Sequence, residues 1–214
     1  MYTHVLFDLD GTLTDSSLGI TKCAQLALHH FGIEVEDLKE LNVFIGPPLR
    51  ETFPKFGIPE DKVEEAISIF RSRYTTVGKF ENVPYEGIKE LLETLNQHHV
   101  HCYVATSKLE NTAKEILDKF DLSKYFDCIA GASTDSSRDS KEQVIRYLFK
   151  KVEDIKDAVM VGDTIFDIEG AKKTGVDSIG VSWGFGDITK MKEVGATYIV
   201  DSCKHLQDVI LGLC

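Results

Sequence analysis

Short apolar runs recur along the chain, and most are followed by a stretch whose apolar residues return every three or four positions. The runs cover residues 5–7, 100–105, 128–130, 158–161, 179–181 and 198–200. They are continuous rather than alternating, as strands of a parallel sheet buried on both faces must be. Helical faces are legible between them. Ala113, Ile116, Leu117 and Phe120 share one, as do Val144, Ile145, Leu148 and Phe149, and residues 86–98 carry Ile88, Leu91, Leu92 and Leu95. Strand–helix alternation of this kind predicts an α/β fold with a Rossmann-like, doubly wound parallel sheet.

Residues 16–84 break the pattern and show no convincing strand. Ile20, Cys23, Ala27 and Phe31 mark one helix there. Val63, Ala66, Ile67, Phe70, Tyr74 and Val77 mark a second, with its aromatic pair read as core. All five prolines (Pro47, Pro48, Pro54, Pro59 and Pro84) fall inside or at the edge of this stretch. The reading is a core made of residues 1–15 and 85–214, with an α-helical cap domain inserted at 16–84 and linkers near Asp15 and Pro84. A chain of 214 residues has room for that arrangement.

Composition narrows the function classes. Hydrophobic residues make up 43% and charged residues 28%, an ordinary soluble balance. A net charge of −11 leaves no basic stripe for nucleic acid. Cys23, Cys102, Cys128, Cys203 and Cys214 are odd in number and form no C-x-x-C pair, which fits reduced thiols in a cytoplasmic protein. Asp8 interrupts the first apolar run, so no signal peptide is expected, and no apolar segment reaches the roughly 20 residues of a membrane span. A monomer or a homodimer is expected.

The candidate chemistry lies at the predicted strand ends, where ligands bind in open α/β sheets. "FDLDGTLTDS" places Asp8 and Asp10 just after a buried run. Two carboxylates this close to an apolar core need compensation. Thr106, Ser107 and Lys108 are expected to end the second strand and open a helix, where hydroxyl and amide groups fit a phosphate. Lys141 follows "TDSSRDS" in the first turn of a helix. "GDTIFD" carries Asp163 and Asp167 one helical turn apart. Together these residues supply oxygen ligands for a hard divalent cation, with Mg²⁺ favoured, and donors for an anion that touches the same metal. That combination describes phosphoryl transfer.

In this order the motifs resemble the haloacid dehalogenase superfamily of phosphohydrolases. The likeness extends over essentially the whole chain, including a helical cap between the first and second motifs. It implies that Asp8 is the nucleophile forming an aspartyl-phosphate and that Asp10 is the general acid, later the base. It implies that Thr106, the Ser107 amide and Lys141 hold the phosphoryl oxygens, and that Asp8, the Asp10 carbonyl and Asp163 bind Mg²⁺. Asp167 would be a supporting or water-mediated partner. The chain is most similar to the phosphoglycolate phosphatase-like group. "IGPPL", "SSRDSK" and "GFG" followed by "GATYIVDS" resemble bacterial 5′-nucleotidase-type members. The expected substrates are small phosphate esters, 5′-nucleotides slightly ahead of 2-phosphoglycolate.

Plainer readings exist for several of these residues. Thr106 and Asp163 could be helix caps, and Lys141 a solvated helix lysine. Arg50, after the stiff turn Gly46-Pro47-Pro48, could pair with an anionic substrate or form a surface ion pair with Glu51 or another carboxylate. His98, His99 and His101 read as exposed turn residues rather than a metal site. The loop "GVSWGFG" is expected to close one wall of the site. A phosphomutase of the β-phosphoglucomutase type would use the same two aspartates, and a non-catalytic binding protein could keep the fold.

Overall fold

The computed structural model describes residues 1–135, 137–152 and 155–213. Its contacts divide the chain into two units, residues 1–14 with 84–213 and residues 15–83. Cys214, counted among the thiols, lies outside the described residues. The other four cysteines are free. No helix among the described residues is long and apolar enough to cross a membrane.

The first unit is built on six strands: β1 (His4–Phe7), β4 (His101–Leu109), β5 (Cys128–Ala132), β6 (Ala158–Gly162), β7 (Asp177–Val181) and β8 (Tyr198–Val200). They pair in the order β5-β4-β1-β6-β7-β8, all parallel. Strand order reverses at β1, which makes its carboxyl end the switch point where such sheets bind ligands. Period-two alternation assigns the two faces. Val5 and Phe7 pack with Ile88, Leu91, Leu92 and Leu95 of α4 (Ile88–Gln97), Ala113, Ile116 and Leu117 of α5 (Glu110–Lys119), and Leu206 and Ile210 of α9 (Cys203–Leu211). Leu6 faces the other way, toward Val144, Ile145 and Leu148 of α6 (Lys141–Lys151) and Ala171 of α7 (Ile165–Thr174). Both faces are therefore covered, as the unbroken apolar runs require.

The second strand differs from its expected form. It begins at His101, one residue late, and runs to Leu109, so Thr106, Ser107 and Lys108 extend the strand and the helix opens only at Glu110. The pairing shows why. Ala105 pairs with Ala130 and Leu109 with Ala132, so residues 106–108 bulge opposite Gly131 alone. A Cβ on Gly131 would come within 2.5 Å of Lys108 O and 2.7 Å of Glu110 Cα, so the bulge depends on this glycine.

The second unit is helical. It contains α1 (Ser17–His30), the short α2 (Leu49–Thr52) and α3 (Val63–Tyr74), with 3₁₀ turns between them. The two periodic segments are thus helices, but Phe31 is the residue just past α1, and Val77 lies beyond α3 and is exposed. Helix α1 meets the turn Gly78–Phe80 closely, since a Cβ on Gly19 would lie 2.0 Å from Gly78 O. The crossing segments β2 (Thr14–Asp15) and β3 (Val83–Pro84) pair as a two-residue ribbon, which a stretch read as strand-free did not foretell.

Candidate active site

The site grows from three neighbouring strand ends, β4, β1 and β6, and from the start of α6, all within the first unit. Asp8 follows β1 directly, and its amide donates to Val161 O at 2.9 Å, so the backbone fixes where the carboxylate begins. Gly11 then turns the chain with φ of +80°, a region L side chains avoid, and a Cβ there would sit 2.2 Å from Asp163 Oδ2. Motif and metal-ligand candidate can approach only because that position is glycine.

Lys141 is the first residue of α6. Ser140 caps the helix in a reciprocal box with Gln143, whose side-chain oxygen accepts from the Ser140 amide at 3.1 Å. The preceding loop is held by Arg138, which donates to Gly131 O at 2.5 Å and pairs with Glu110 at 2.9 Å. Ser136, within the "SSRDSK" motif, lies outside the described residues. The Lys141 ammonium is buried. It lies 2.8 Å from Asp8 Oδ1, 2.7 Å from Asp167 Oδ1 and 2.9 Å from Ala105 O. The ammonium donates to the Ala105 carbonyl and is ion-paired with both carboxylates. Lys141 is therefore not a solvated helix lysine. It braces two carboxylates and the end of β4.

Asp163 is fully buried. Its Oδ2 accepts from the Phe185 amide at 2.8 Å and its Oδ1 from the Thr12 hydroxyl at 3.4 Å. The loop read as a wall of the site thus binds Asp163 through its backbone. Trp183 ties the same loop to the first motif, its indole N–H donating to Thr12 O at 3.1 Å. Asp163 is not a helix cap. That place belongs to Thr164, and Asp167 completes the capping box, its Oδ2 accepting from the Thr164 amide at 3.0 Å and hydroxyl at 2.8 Å. Capping occupies one Asp167 oxygen, and the other meets Lys141. Gly162 makes room for it, since a Cβ there would lie 2.2 Å from Asp167 Cγ. Gly162→Ala is accordingly expected to cost about 1–3 kcal/mol of stability through overpacking. Denaturant unfolding reads this directly, and an unchanged midpoint would contradict the geometry.

Asp8, Asp163 and Asp167 each present an oxygen within 4.8 Å of the others. Three buried carboxylates face one ammonium, so two negative charges are left uncompensated. The protonation equilibria register this. Burial first, then the Asp167 and Asp8 charges, hold the Asp163 carboxyl well above the usual range. Burial also raises Asp167, with Lys141 opposing it. Burial alone would push the Lys141 ammonium down, but the Asp167 and Asp8 charges outweigh it and keep the lysine protonated. A divalent cation among these oxygens would supply the missing charge, and an all-oxygen donor set fits a hard cation.

Thr106 is buried in the bulge, and its hydroxyl oxygen accepts from the Lys108 amide at 3.2 Å, leaving the hydroxyl hydrogen to donate elsewhere. Ser107 is exposed at the crest of the same bulge. Asp10 lies outside the carboxylate cluster: its Oδ2 pairs with Lys108 Nζ at 2.7 Å. Sequence reasoning gave Lys108 no role of its own. Arg50 belongs to the second unit, where its largely exposed side chain pairs with Glu64 at 2.5 Å. That is the surface ion pair weighed above, with Glu64 in place of Glu51. Away from the site, His101 pairs with Asp127 at 2.7 Å and stacks on His4.

Residues 5–181 match the haloacid dehalogenase-like hydrolase family. The chain is 39% identical to a 5′-nucleotidase of Pseudomonas aeruginosa, over 98% of this chain and 96% of that one. It is 40% identical to the tyrosine-protein kinase PtkA of Mycobacterium tuberculosis, over 91% of this chain and 67% of that one. A phosphoglycolate phosphatase of Aquifex aeolicus is 34% identical over 85% of both chains. The solved structure of a predicted phosphatase from Clostridium acetobutylicum superimposes with a TM-score of 0.92 at 46% identity, covering 99% of each chain. The chain belongs to the haloacid dehalogenase-like hydrolase family, as its four strand-end motifs indicated.

Proposed function

We propose that this hydrolase is a cytoplasmic, Mg²⁺-dependent phosphatase that cleaves small phosphate monoesters through an aspartyl-phosphate on Asp8. One observation carries the reading. Asp8 stands at the switch point of the sheet, paired with a buried ammonium and clustered with two further carboxylates. A solvated turn would have no use for such an arrangement.

Asp8, Asp163 and the Asp10 carbonyl would hold the cation. Asp167, with both oxygens engaged, supports them. When bound, Mg²⁺ offsets the carboxylate charge and draws electrons from the phosphoryl oxygens. The chain's own residues supply the rest. An Asp8 oxygen attacks phosphorus, and the ester P–O bond breaks. Asp10 gives the leaving oxygen its proton. Water then attacks the same phosphorus, its proton passes to Asp10, and phosphate leaves with Asp8 restored. The Thr106 hydroxyl and the Ser107 amide face the phosphoryl oxygens. Lys141 orients Asp8, and it reaches the phosphoryl group only by giving up one of its present partners. Residues 15–83 act as the cap that selects the substrate, with Arg50 a contact for it. The relatives named 5′-nucleotidase and phosphoglycolate phosphatase support small phosphate esters, nucleotides first.

A second reading has an observation in its favour, the relative named a tyrosine-protein kinase. The same Asp8 could pass its phosphoryl group to a hydroxyl instead of water, as it would in a phosphomutase. Product analysis separates these. Phosphate release from a panel of 5′-nucleotides, 2-phosphoglycolate, sugar phosphates and an aryl phosphate, lost on chelation, is the expected result. An isomerised ester or a phosphorylated protein without free phosphate would replace the hydrolase by a transferase.

The cation should also show in the pH dependence of stability. Because the Asp163 carboxyl is raised in the fold, the folded protein holds a proton that the unfolded chain releases. Stability of the metal-free protein therefore falls as pH rises from the ordinary carboxyl range through the raised value. A cation must displace that proton, so its stabilising effect grows over the same interval. The unfolding midpoint, measured with and without Mg²⁺ from about pH 5 to about pH 8, should show a gap that widens with pH. A gap that is constant or narrows would count against Asp163 as a ligand.

A further inference from the structure

The sequence groups Lys108 with Thr106 and Ser107 but gives it no role of its own, yet its ammonium is buried against the carboxylate assigned to proton transfer. The Nζ–Oδ2 distance to Asp10 is 2.7 Å, and the two side chains are only 7% and 15% exposed. A surface ion pair would leave both groups in water. Here a lysine is drawn inward, and it gets there because residues 106–108 bulge against Gly131. The same bulge carries Thr106, whose hydroxyl oxygen accepts from the Lys108 amide. One turn of backbone thus sets both a phosphate-facing hydroxyl and the cation on Asp10. The other carboxylate oxygen, Asp10 Oδ1, is buried and has no hydrogen-bond partner among the described residues. One oxygen is paired with the ammonium, and the other is buried without a hydrogen bond among these residues.

We infer that Lys108 is a positioning residue for Asp10, holding Oδ2 so that Oδ1 is the atom that exchanges the proton with the leaving oxygen. The inference rests on the reading of Asp10 as the proton-transferring group. As the ester P–O bond breaks, the proton moves from Asp10 Oδ1 to the leaving oxygen, and the ammonium on Oδ2 steadies the carboxylate left behind. Placement and charge act together, so an arginine at this position should serve better than an uncharged residue of similar length.

Leaving-group dependence tests this without relying on folding yield. A nitrophenyl phosphate releases a phenolate that needs no proton, whereas an alkyl phosphate releases an oxygen that does. The value of kcat/KM reports the steps through phosphoryl transfer to Asp8 and excludes hydrolysis of the intermediate. Positioned acid catalysis contributes about 10²–10⁴-fold. Lys108→Met is expected to lower kcat/KM about 10²-fold for the alkyl ester and less than about tenfold for the nitrophenyl ester. Lys108→Arg should recover much of the difference, and Asp10→Asn should show the same steepening. Equal losses for both esters in Lys108→Met, beside a steep Asp10→Asn, would overturn the inference alone and leave Lys108 a structural or substrate-binding lysine. A flat Asp10→Asn would remove the role of Asp10 and the inference with it. If Lys108→Met does not fold, Lys108→Gln and Lys108→Arg carry the same comparison.

Discussion

Asp8→Asn will lower phosphate release on the order of 10⁴-fold or more while leaving the fold intact, because removing an enzyme's nucleophile forfeits the whole covalent route. The substitution is nearly isosteric. The Asn side-chain carbonyl can still accept from Lys141, and Asp167 continues to pair with the same ammonium. Loss of turnover would then not be a consequence of unfolding, which circular dichroism and the unfolding midpoint can check. A protein that merely binds phosphate esters should keep its affinity and have no turnover to lose. Near-normal hydrolysis by Asp8→Asn would remove Asp8 from the chemistry.

Lys141→Met will have the largest effect on stability. The ammonium is buried between Asp8 and Asp167 and also donates to Ala105 O, so its removal strands two carboxylates and a carbonyl in the core. Breaking a buried pair by deleting one partner costs about 3–5 kcal/mol. The cost should depend on conditions. In chelator, the Asp8, Asp163 and Asp167 carboxyl groups face each other with no internal cation. With saturating Mg²⁺, the metal offsets part of that repulsion, so the destabilisation should shrink. Denaturant unfolding of the wild type and the variant, each with and without metal, gives the four values needed. Equal losses in both conditions would mean that Lys141 and the cation do not share one electrostatic site.

The parts of this site that were legible in the sequence are those whose chemistry is local. Asp8 and Asp10 stand out because two carboxylates end a run of buried apolar residues. Asp163 follows a strand and a glycine, and Lys141 follows a polar loop into a helix with a legible face. Lys108 was not legible as a partner of Asp10. Its placement depends on a bulge in β4, and a bulge is defined by the strand opposite, here by Ala130, Gly131 and Ala132. A run of residues read alone ends a strand where the pattern stops, so Thr106 to Lys108 looked like the entry to a helix. The double role of Asp167 did leave a signal, since Thr164 and Asp167 have the spacing of a capping box. Both the cap and the carboxylate that meets Lys141 lie within those four residues. Arg50 was legible as a cation after a stiff turn, but its pairing with Glu64, fourteen residues away, depends on how the helical unit folds.

The central claim is that Asp8 carries the phosphoryl group during turnover. Borohydride added during steady-state hydrolysis reduces a carboxyl held as a mixed anhydride with phosphate, and leaves ordinary carboxylates untouched. Peptide mass spectrometry of the quenched enzyme should then find Asp8 reduced to homoserine, only when substrate and Mg²⁺ are both present, with Asp10, Asp163 and Asp167 unchanged. Active hydrolysis with no reduction at Asp8, or with reduction at another carboxylate, would contradict the account.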